Sequence, residues 1–107
     1  MAKLRQTIEL AQPYTKFKPF TLTTNSDEAS TILTVSDYME EANRITIVVD
    51  RDDLYVNLGG DATTDGSSML VPAGTGYTAT GISFNGAISV VRANQANGRI
   101  IGAIWGR

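Results

Sequence analysis

The sequence predicts an all-β protein, an antiparallel β-sandwich or jelly-roll-like barrel with an extended N-terminal arm. Short segments alternate between apolar and polar residues, and turn signals recur about every eight to twelve residues. No ten-residue stretch has a convincing helical period. Eight or nine short strands are therefore expected, a number typical of sandwiches and barrels. The 107 residues suit one domain of common size.

The alternation places each strand. The predicted strands cover residues 20–24, 30–35, 44–49, 54–58, 68–71, 77–84, 87–93 and 99–105. Residues 36–43 interrupt the pattern and predict one or two helical turns or an ordered loop. Gly81 lies inside a strand pattern, which predicts a kink or bulge.

Three connections are predicted to be hairpins. Residues 44–58 form two alternating segments joined by the acidic residues 50–53, which predicts a hairpin with an acidic tip. Asn85-Gly86 and Asn97-Gly98 are the dipeptides that favour tight primed turns, so each predicts a further hairpin.

The first 19 residues are predicted to be an arm, followed by a sandwich domain at residues 20–107. Pro13 and Pro19 bracket a basic, aromatic segment, and each proline favours extended backbone. Residues 3–10 alternate in period two, which favours a strand. Such an arm can bind a partner, or it can be an edge strand that closes this protein's own sandwich. The candidate partner-binding residues are Leu4, Arg5, Ile8, Tyr14, Lys16, Phe17, Lys18 and Phe20.

Charge is distributed unevenly along the chain. Residues 1–20 carry a net charge of +3, residues 21–65 carry −8 and residues 66–107 carry +3, which sum to −2. A basic arm on one copy could dock on the acidic body of another, and such complementarity guides pairing and register. Ordinary surface charge in uneven blocks explains the pattern equally well.

The composition argues against catalysis and against a cofactor. The chain has no cysteine and no histidine, so it lacks the commonest general base and two of the commonest metal ligands. Asp52 and Asp53 are adjacent, and adjacent residues on a strand point to opposite faces. The G-x-G-x-x-A match at residues 74–79 is followed by a strand pattern instead of a helix, so it does not predict a dinucleotide site. The prediction is a protein that is not an enzyme and holds no metal or cofactor.

The acidic residues leave one alternative open. Ca²⁺ prefers several carboxylate and carbonyl oxygens, so these side chains could form a calcium site. Their spacing does not match an EF-hand loop, and a solvated tip and loop is the favoured interpretation. The residues concerned are Asp50, Asp52, Asp53, Asp61 and Asp65.

Nucleic acid, membrane and export are not favoured. The arm interleaves basic and aromatic residues as single-strand binders do, but the sequence as a whole is acidic. No apolar run approaches the roughly 20 residues that span a membrane. The first ten residues lack the apolar centre of a secretory signal, so use without export is expected.

A resemblance goes beyond these patterns. Residues 43–47 (NRITI), 54–64 (LYVNLGGDATT), 72–74 (PAG) and 86–90 (GAISV) together resemble small β-sandwich virion proteins of tailed bacteriophages. The resemblance covers roughly residues 43–105 and implies a capsid decoration or cement protein that stabilises the phage head. It implies the major capsid protein and copies of this chain as partners, a homo-oligomer, synthesis in the host cytoplasm and a place on the capsid exterior. The alternative is a tail or fibre module that recognises host glycans through Tyr55, Tyr77 or Trp105.

Overall fold

A computed structural model describes residues 14–24, 27–94 and 96–107. Eight strands form two four-stranded antiparallel sheets, which confirms the all-β sandwich. The strands are β1 (Lys16–Thr24), β2 (Ser30–Thr34), β3 (Ala42–Arg51), β4 (Leu54–Leu58), β5 (Met69–Val71), β6 (Gly76–Phe84), β7 (Ala87–Arg92) and β8 (Gly98–Gly106). The first sheet has the order β1-β8-β3-β6 and the second sheet the order β2-β7-β4-β5. One short 3₁₀ helix, Val35–Asp37, overlaps the start of the stretch predicted as helical turns or a loop and begins one residue earlier, at a residue predicted to be in a strand.

The three predicted hairpins are wrong. β3 lies in the first sheet and β4 in the second, so the acidic tip joins the two sheets. The connections β6–β7 and β7–β8 also cross from one sheet to the other. A primed turn at Asn-Gly needs positive φ at both residues, and neither Gly86 nor Gly98 has it. Crossing connections of this kind are what a jelly-roll arrangement requires.

The predicted irregularity at Gly81 is confirmed. Gly81 has φ +66°, and the pairing of β3 with β6 shifts register between Ala42 and Arg44. Ala42 pairs with Phe84 and Arg44 pairs with Thr80, so residues 81–83 lie opposite Asn43 alone. The Asn43 amide donates a hydrogen bond to the Ile82 oxygen at 2.9 Å, which stabilises this bulge.

Aliphatic side chains fill the space between the sheets. The ten largest fully buried side chains are all isoleucine, leucine or valine: Ile45, Ile47, Leu54, Ile88, Ile100, Ile104, Val35, Val49, Val56 and Val90. Both sheets contribute to this set, as expected from strands that point alternate residues inward. The interior is therefore an apolar core.

The predicted boundary between arm and domain falls inside β1. Residues 16–19 pair with β8, from Lys16 opposite Gly106 to Pro19 opposite Ala103. This part of the chain is therefore an edge strand of the sandwich, the alternative that the sequence left open. Residues 1–13 lie outside the described residues.

Gly102 allows β8 to approach β3 and β1 closely. A Cβ at this position would collide with the main-chain oxygen of Thr46 and overlap the ring of Phe20, its partner on β1. Gly102→Ala is therefore expected to lower the free energy of unfolding by about 2 kcal/mol or more.

Urea denaturation of this variant and of Gly60→Ala measures that effect. A Cβ at Gly60 would meet nothing closer than the Asn57 amide at 3.9 Å, so Gly60→Ala is the matched control. Equal stability of the two variants would contradict the close approach at Gly102.

The described part of the chain contains no helix that is long and apolar enough to cross a membrane.

Candidate functional site

The outward faces of the two sheets differ in how they are covered. On the second sheet, Ser89 faces outward beside Asn57 yet is buried. The loop that follows β4 folds over it, and the Ala62 amide donates a hydrogen bond to the Ser89 hydroxyl at 2.9 Å. At this point the outward face of the second sheet is therefore covered by a loop of the same chain.

The outward face of the first sheet is organised in rows across all four strands. Opposite residues in antiparallel pairs point to the same side, so the registers define each row. The first row is Phe17, Trp105, Arg44 and Thr80. The second row is Pro19, Ala103, Thr46 and Thr78. The third row is Thr21, Ile101, Val48 and Gly76. The second and third rows carry no charge; we call these three rows the outer face.

Large apolar side chains are exposed on this outer face. Phe17 is 57% exposed, Val48 43% and Ile101 36%. Val48 and Ile101 are paired neighbours in the third row, whereas Phe17 lies two rows away beside Trp105. Isolated exposed apolar residues are ordinary on protein surfaces, but neighbouring ones on adjacent strands are typical of an interaction surface.

An aromatic and cationic cluster forms one end of the outer face. The Phe17 and Trp105 rings are 5.2 Å apart between centroids, and the Arg44 guanidinium lies 4.8 Å above the Trp105 ring. Nε of Arg44 is buried and has no hydrogen-bond partner among the described residues. Trp and Arg are the residue types most enriched at the energetic centres of protein interfaces.

Glu41 ties the end of β8 to the beginning of β3. Arg107 Nε donates to Glu41 Oε1 at 2.5 Å, and the Ser83 hydroxyl donates to the same carboxylate. These donors, Ser83 first and Arg107 second, hold the pKa of Glu41 below its usual value. The main chain adds to the link, because the Glu40 amide donates to the Arg107 oxygen at 2.7 Å.

Two surface grooves lie on either side of Arg107. The larger, about 620 Å³, is lined by residues that include Lys16, Tyr38 and Glu40. Lys18 also reaches this corner, with Nζ 4.7 Å from the Tyr38 ring. The smaller groove, about 400 Å³, lies beside the bulge and is lined in part by Tyr14. Lysine and glutamate balance each other in the larger groove, and Arg107 is already paired with Glu41.

The acidic residues between β3 and β4 have partners within the protein. Asp50 forms an ion pair with Arg99, and Asp52 accepts a hydrogen bond from the Asn94 amide at 2.8 Å. Asp53 accepts one from the Ala73 main-chain amide at 2.9 Å. Within the described ranges, no group of three or more metal-ligating side chains could hold a metal ion. These acids therefore fix the connection between the sheets.

Asp65 organises the loop between β4 and β5. Its carboxylate accepts hydrogen bonds from the Ser67 hydroxyl (2.6 Å), the Thr63 hydroxyl (2.6 Å) and the Ser67 amide (3.0 Å). These bonds favour the charged form and lower the pKa of Asp65 to about 2. The loop therefore depends on an ionised Asp65.

The pH dependence of this loop follows from the lowered pKa. A carboxyl with a depressed pKa in the folded state adds stability above its unfolded pKa of 3.8 and loses it as the pH falls towards 2. Carboxyl-carbon NMR is expected to give a midpoint near 2 for Asp65, and Ser67→Ala should raise it. A midpoint near 3.8 in the unmodified protein would contradict the hydrogen-bonding scheme.

The predicted arm residues are separated by the structure. Phe17 lies on the outer face, whereas Phe20 is buried in the core against Gly102. Tyr14 and Lys16 line separate grooves, and Lys18 stacks on Tyr38. Leu4, Arg5 and Ile8 lie outside the described residues. Partner binding by these residues stays a prediction.

Sequence reasoning missed most of the outer face. The sequence assigns Val48 and Ile101 only to strands, Arg44 to a strand and the NRITI motif, and Trp105 to a strand or a glycan-binding surface. The alternation of apolar and polar residues could have shown that these side chains point away from the core, because the residues next to them along the strand point into it. It could not have shown that they share a surface, because the rows depend on registers such as Phe17 opposite Trp105.

Comparisons with solved structures identify the fold. The chain is similar to the Cupin_2 domain of an XRE family transcriptional regulator from Enterobacter cloacae, at 17% identity over 83% of this chain and 80% of that one, with a TM-score of 0.55. It is also similar to an RmlC-like cupin from Shewanella frigidimarina, at 12% identity over 86% of this chain and 68% of that one, with a TM-score of 0.51. The similarity to Fe(II) HppE has 10% identity over 83% of this chain and 42% of that one, with a TM-score of 0.54. At these identities the likeness shows a cupin-like fold alone. No protein-family model and no curated protein matches the sequence.

These comparisons correct the resemblance to phage virion proteins. The structural neighbours are cupin-domain proteins, so the implied capsid decoration role, the tail or fibre alternative and the place on a virion are wrong. The motif residues serve the fold of this chain instead. Gly59 has φ +93° where the chain leaves β4, and Gly74 has φ +80° in the turn after Pro72. Strand and turn patterns of this kind recur in unrelated sandwiches.

An iron site does not fit the residues of this chain. Protein iron(II) sites are commonly built from histidine and carboxylate ligands, and the sequence has no histidine. The space between the sheets is filled by isoleucine, leucine and valine. The cupin-like fold is shared with an iron(II) protein and with a domain of a transcriptional regulator, so the fold alone does not decide whether this chain is catalytic. The absence of enzymatic activity stays a prediction.

Proposed function

We propose that this protein is a non-catalytic β-sandwich module that works by self-association, with the outer face as the contact between two copies. The observation that carries the proposal is the exposure of Val48 and Ile101 side by side in the third row of the outer face, with Phe17 exposed in the first row and only uncharged residues in the row between them. The lack of histidine and cysteine in the sequence supports the non-catalytic part.

The contact between two copies extends along the first sheet beyond the three rows of the outer face. Those rows span five residues, about 17 Å, across four strands spaced about 4.8 Å apart, or on the order of 300 Å² in projection. β1, β3 and β8 are nine or ten residues long, so the whole outward surface of the first sheet reaches on the order of 600 Å². Two such surfaces bury about 1,200 Å² in total, the lower end of standard interfaces.

The two ends of the first sheet carry different charges. Arg44 lies in the first row, whereas Asp50 lies beyond the third row, where it pairs with Arg99 beside Arg51. Because Asp50 is already paired within one copy, the apolar side chains supply the expected attraction between copies. A two-fold axis repeats each contact between the copies, as in most homodimers.

Sedimentation velocity over about 1 to 300 μM tests the proposal, because micromolar association changes the mean mass within this range. We expect a reversible shift from one copy to two. A single copy at every concentration would refute self-association.

A further inference from the structure

Among residues 14–24, 27–94 and 96–107, the first sheet has two open edges, and these differ in their protection against added strands. The β1 edge carries Lys16, Lys18 and Pro19, and lysine and proline are residues that discourage edge pairing. On the β6 edge, residues 76–80 (GYTAT) contain no charge and no proline. The bulge at residues 81–83 then ends the regular strand. Five residues of β6 therefore form an unprotected edge.

The main-chain groups of this edge can be assigned. The Val49 amide donates to the Thr75 oxygen at 3.0 Å and the Val49 oxygen accepts from the Gly74 amide at 2.8 Å, so Val49 directs its main-chain groups towards the β6 side of β3. Because hydrogen-bonded and non-hydrogen-bonded pairs alternate along an antiparallel ladder, Gly76, Thr78 and Thr80 direct their N–H and C=O groups away from β3. The edge thus offers three donors and three acceptors at strand spacing.

The core is incompletely covered beside the same edge. Tyr77 and Ala79 lie opposite Ile47 and Ile45, so they point between the sheets. Both isoleucines are fully buried, whereas Tyr77 and Ala79 remain partly exposed. An added strand would cover them if it carried apolar residues on its inward side.

We propose that residues 3–10 of a second copy add to β6 as a fifth strand of the first sheet, an inference that rests on the proposed self-association. This segment alternates, with Leu4, Gln6, Ile8 and Leu10 on one side, all apolar except Gln6, and charged residues or threonine on the other. Its apolar side suits the partly exposed Tyr77 and Ala79, and its main chain suits the three donors and acceptors.

The direction of the strand favours the second copy, whereas either copy has a segment long enough to reach the edge. Thirteen residues span up to about 43 Å, whereas the five-residue edge is about 17 Å long. Tyr14 and Ile82 line the same groove, so this copy's own segment would approach Tyr14 in the direction of β6, as a parallel strand. A segment from a two-fold partner can run antiparallel, the pairing that is more stable per residue.

Aspartate substitutions on the two sides of the segment test the inference in the full chain. Ile8→Asp is expected to weaken self-association by about tenfold or more, because it places a charge against the apolar surface formed by Tyr77 and Ala79. Thr7→Asp adds the same charge on the opposite side and is expected to change the dissociation constant by less than about threefold. Equal effects of the two variants would overturn the inference.

A proline on the receiving edge provides a second test. Thr78→Pro removes an amide that points to the open edge, and Thr78→Val changes the side chain while it keeps the amide. We expect Thr78→Pro to weaken association about tenfold more than Thr78→Val. Hydrogen exchange of the Thr78 and Thr80 amides should slow as protein concentration rises. Protection that is independent of concentration would overturn the inference in favour of this copy's own segment.

The outcomes separate this inference from the proposed function. If Ile101→Asp abolishes association while Ile8→Asp and Thr78→Pro do not, the added strand is refuted and the outer-face contact stands. If Ile8→Asp and Thr78→Pro weaken association while Ile101→Asp does not, the added strand stands and the outer-face contact is refuted. A protein that never associates refutes both.

Discussion

Ile101→Asp is expected to weaken self-association by at least about 100-fold, a loss of about 2.7 kcal/mol. Ile101 lies in the third row of the outer face between Thr21 and Val48, so a carboxylate there would be buried without a partner when two copies pack. In a copy that is not associated, the Ile101 side chain is 36% exposed, so the folded state should tolerate the aspartate. Sedimentation velocity and urea denaturation of the same preparation separate the two effects.

Leu70→Asp is the matched control for this prediction. Leu70 is 46% exposed on β5 of the second sheet, so the substitution introduces the same charge at similar exposure on the other side of the protein. We expect its dissociation constant to stay within about threefold of the unmodified protein. If both variants lose association equally, the contact does not lie on the outer face.

Ile47→Ala is expected to lower the free energy of unfolding by about 3–4 kcal/mol. The Ile47 side chain is fully buried between the sheets, and its truncation leaves a cavity in a core built from branched aliphatic residues. Self-association at a temperature where the variant is folded should be unchanged, because Ile47 faces away from the outer face. Urea denaturation measures the first effect and sedimentation the second.

Val48→Ala, one residue along the same strand, should behave in the opposite way. Val48 is 43% exposed on the outer face, so we expect a stability loss below about 1 kcal/mol and measurably weaker association. The pair tests whether one face of β3 serves the fold and the other serves binding. A Val48→Ala variant that is strongly destabilised but associates normally would contradict this division.

The strands were predictable because their signal is local. β4 occupies Leu54–Leu58, the residues at which alternation predicted it. The hairpins were not predictable, because Asn85-Gly86 and the acidic tip mark only that the chain turns. Whether the next strand joins the same sheet or the opposite one depends on which apolar faces meet in the core. Here Val56 of β4 and Ile47 of β3 belong to the same core cluster although they lie in different sheets.

The candidate site was much less predictable than the strands. The outer face exists only because β1 and β8, at opposite ends of the chain, pair in one register. The resemblance to virion proteins failed for a related reason. Its motifs describe how strands begin and end, as Gly59 and Gly74 do here, and those requirements are common to many β-sandwiches.

Intermolecular NMR contacts test the central claim most directly. In a sample that mixes isotope-labelled and unlabelled copies, filtered nuclear Overhauser spectra report only contacts between copies. Self-association through the outer face predicts such contacts among the Val48, Ile101 and Ala103 methyl groups and the Trp105 ring. Contacts that involve Leu70 of the second sheet instead, or none at concentrations where two copies sediment together, would contradict it.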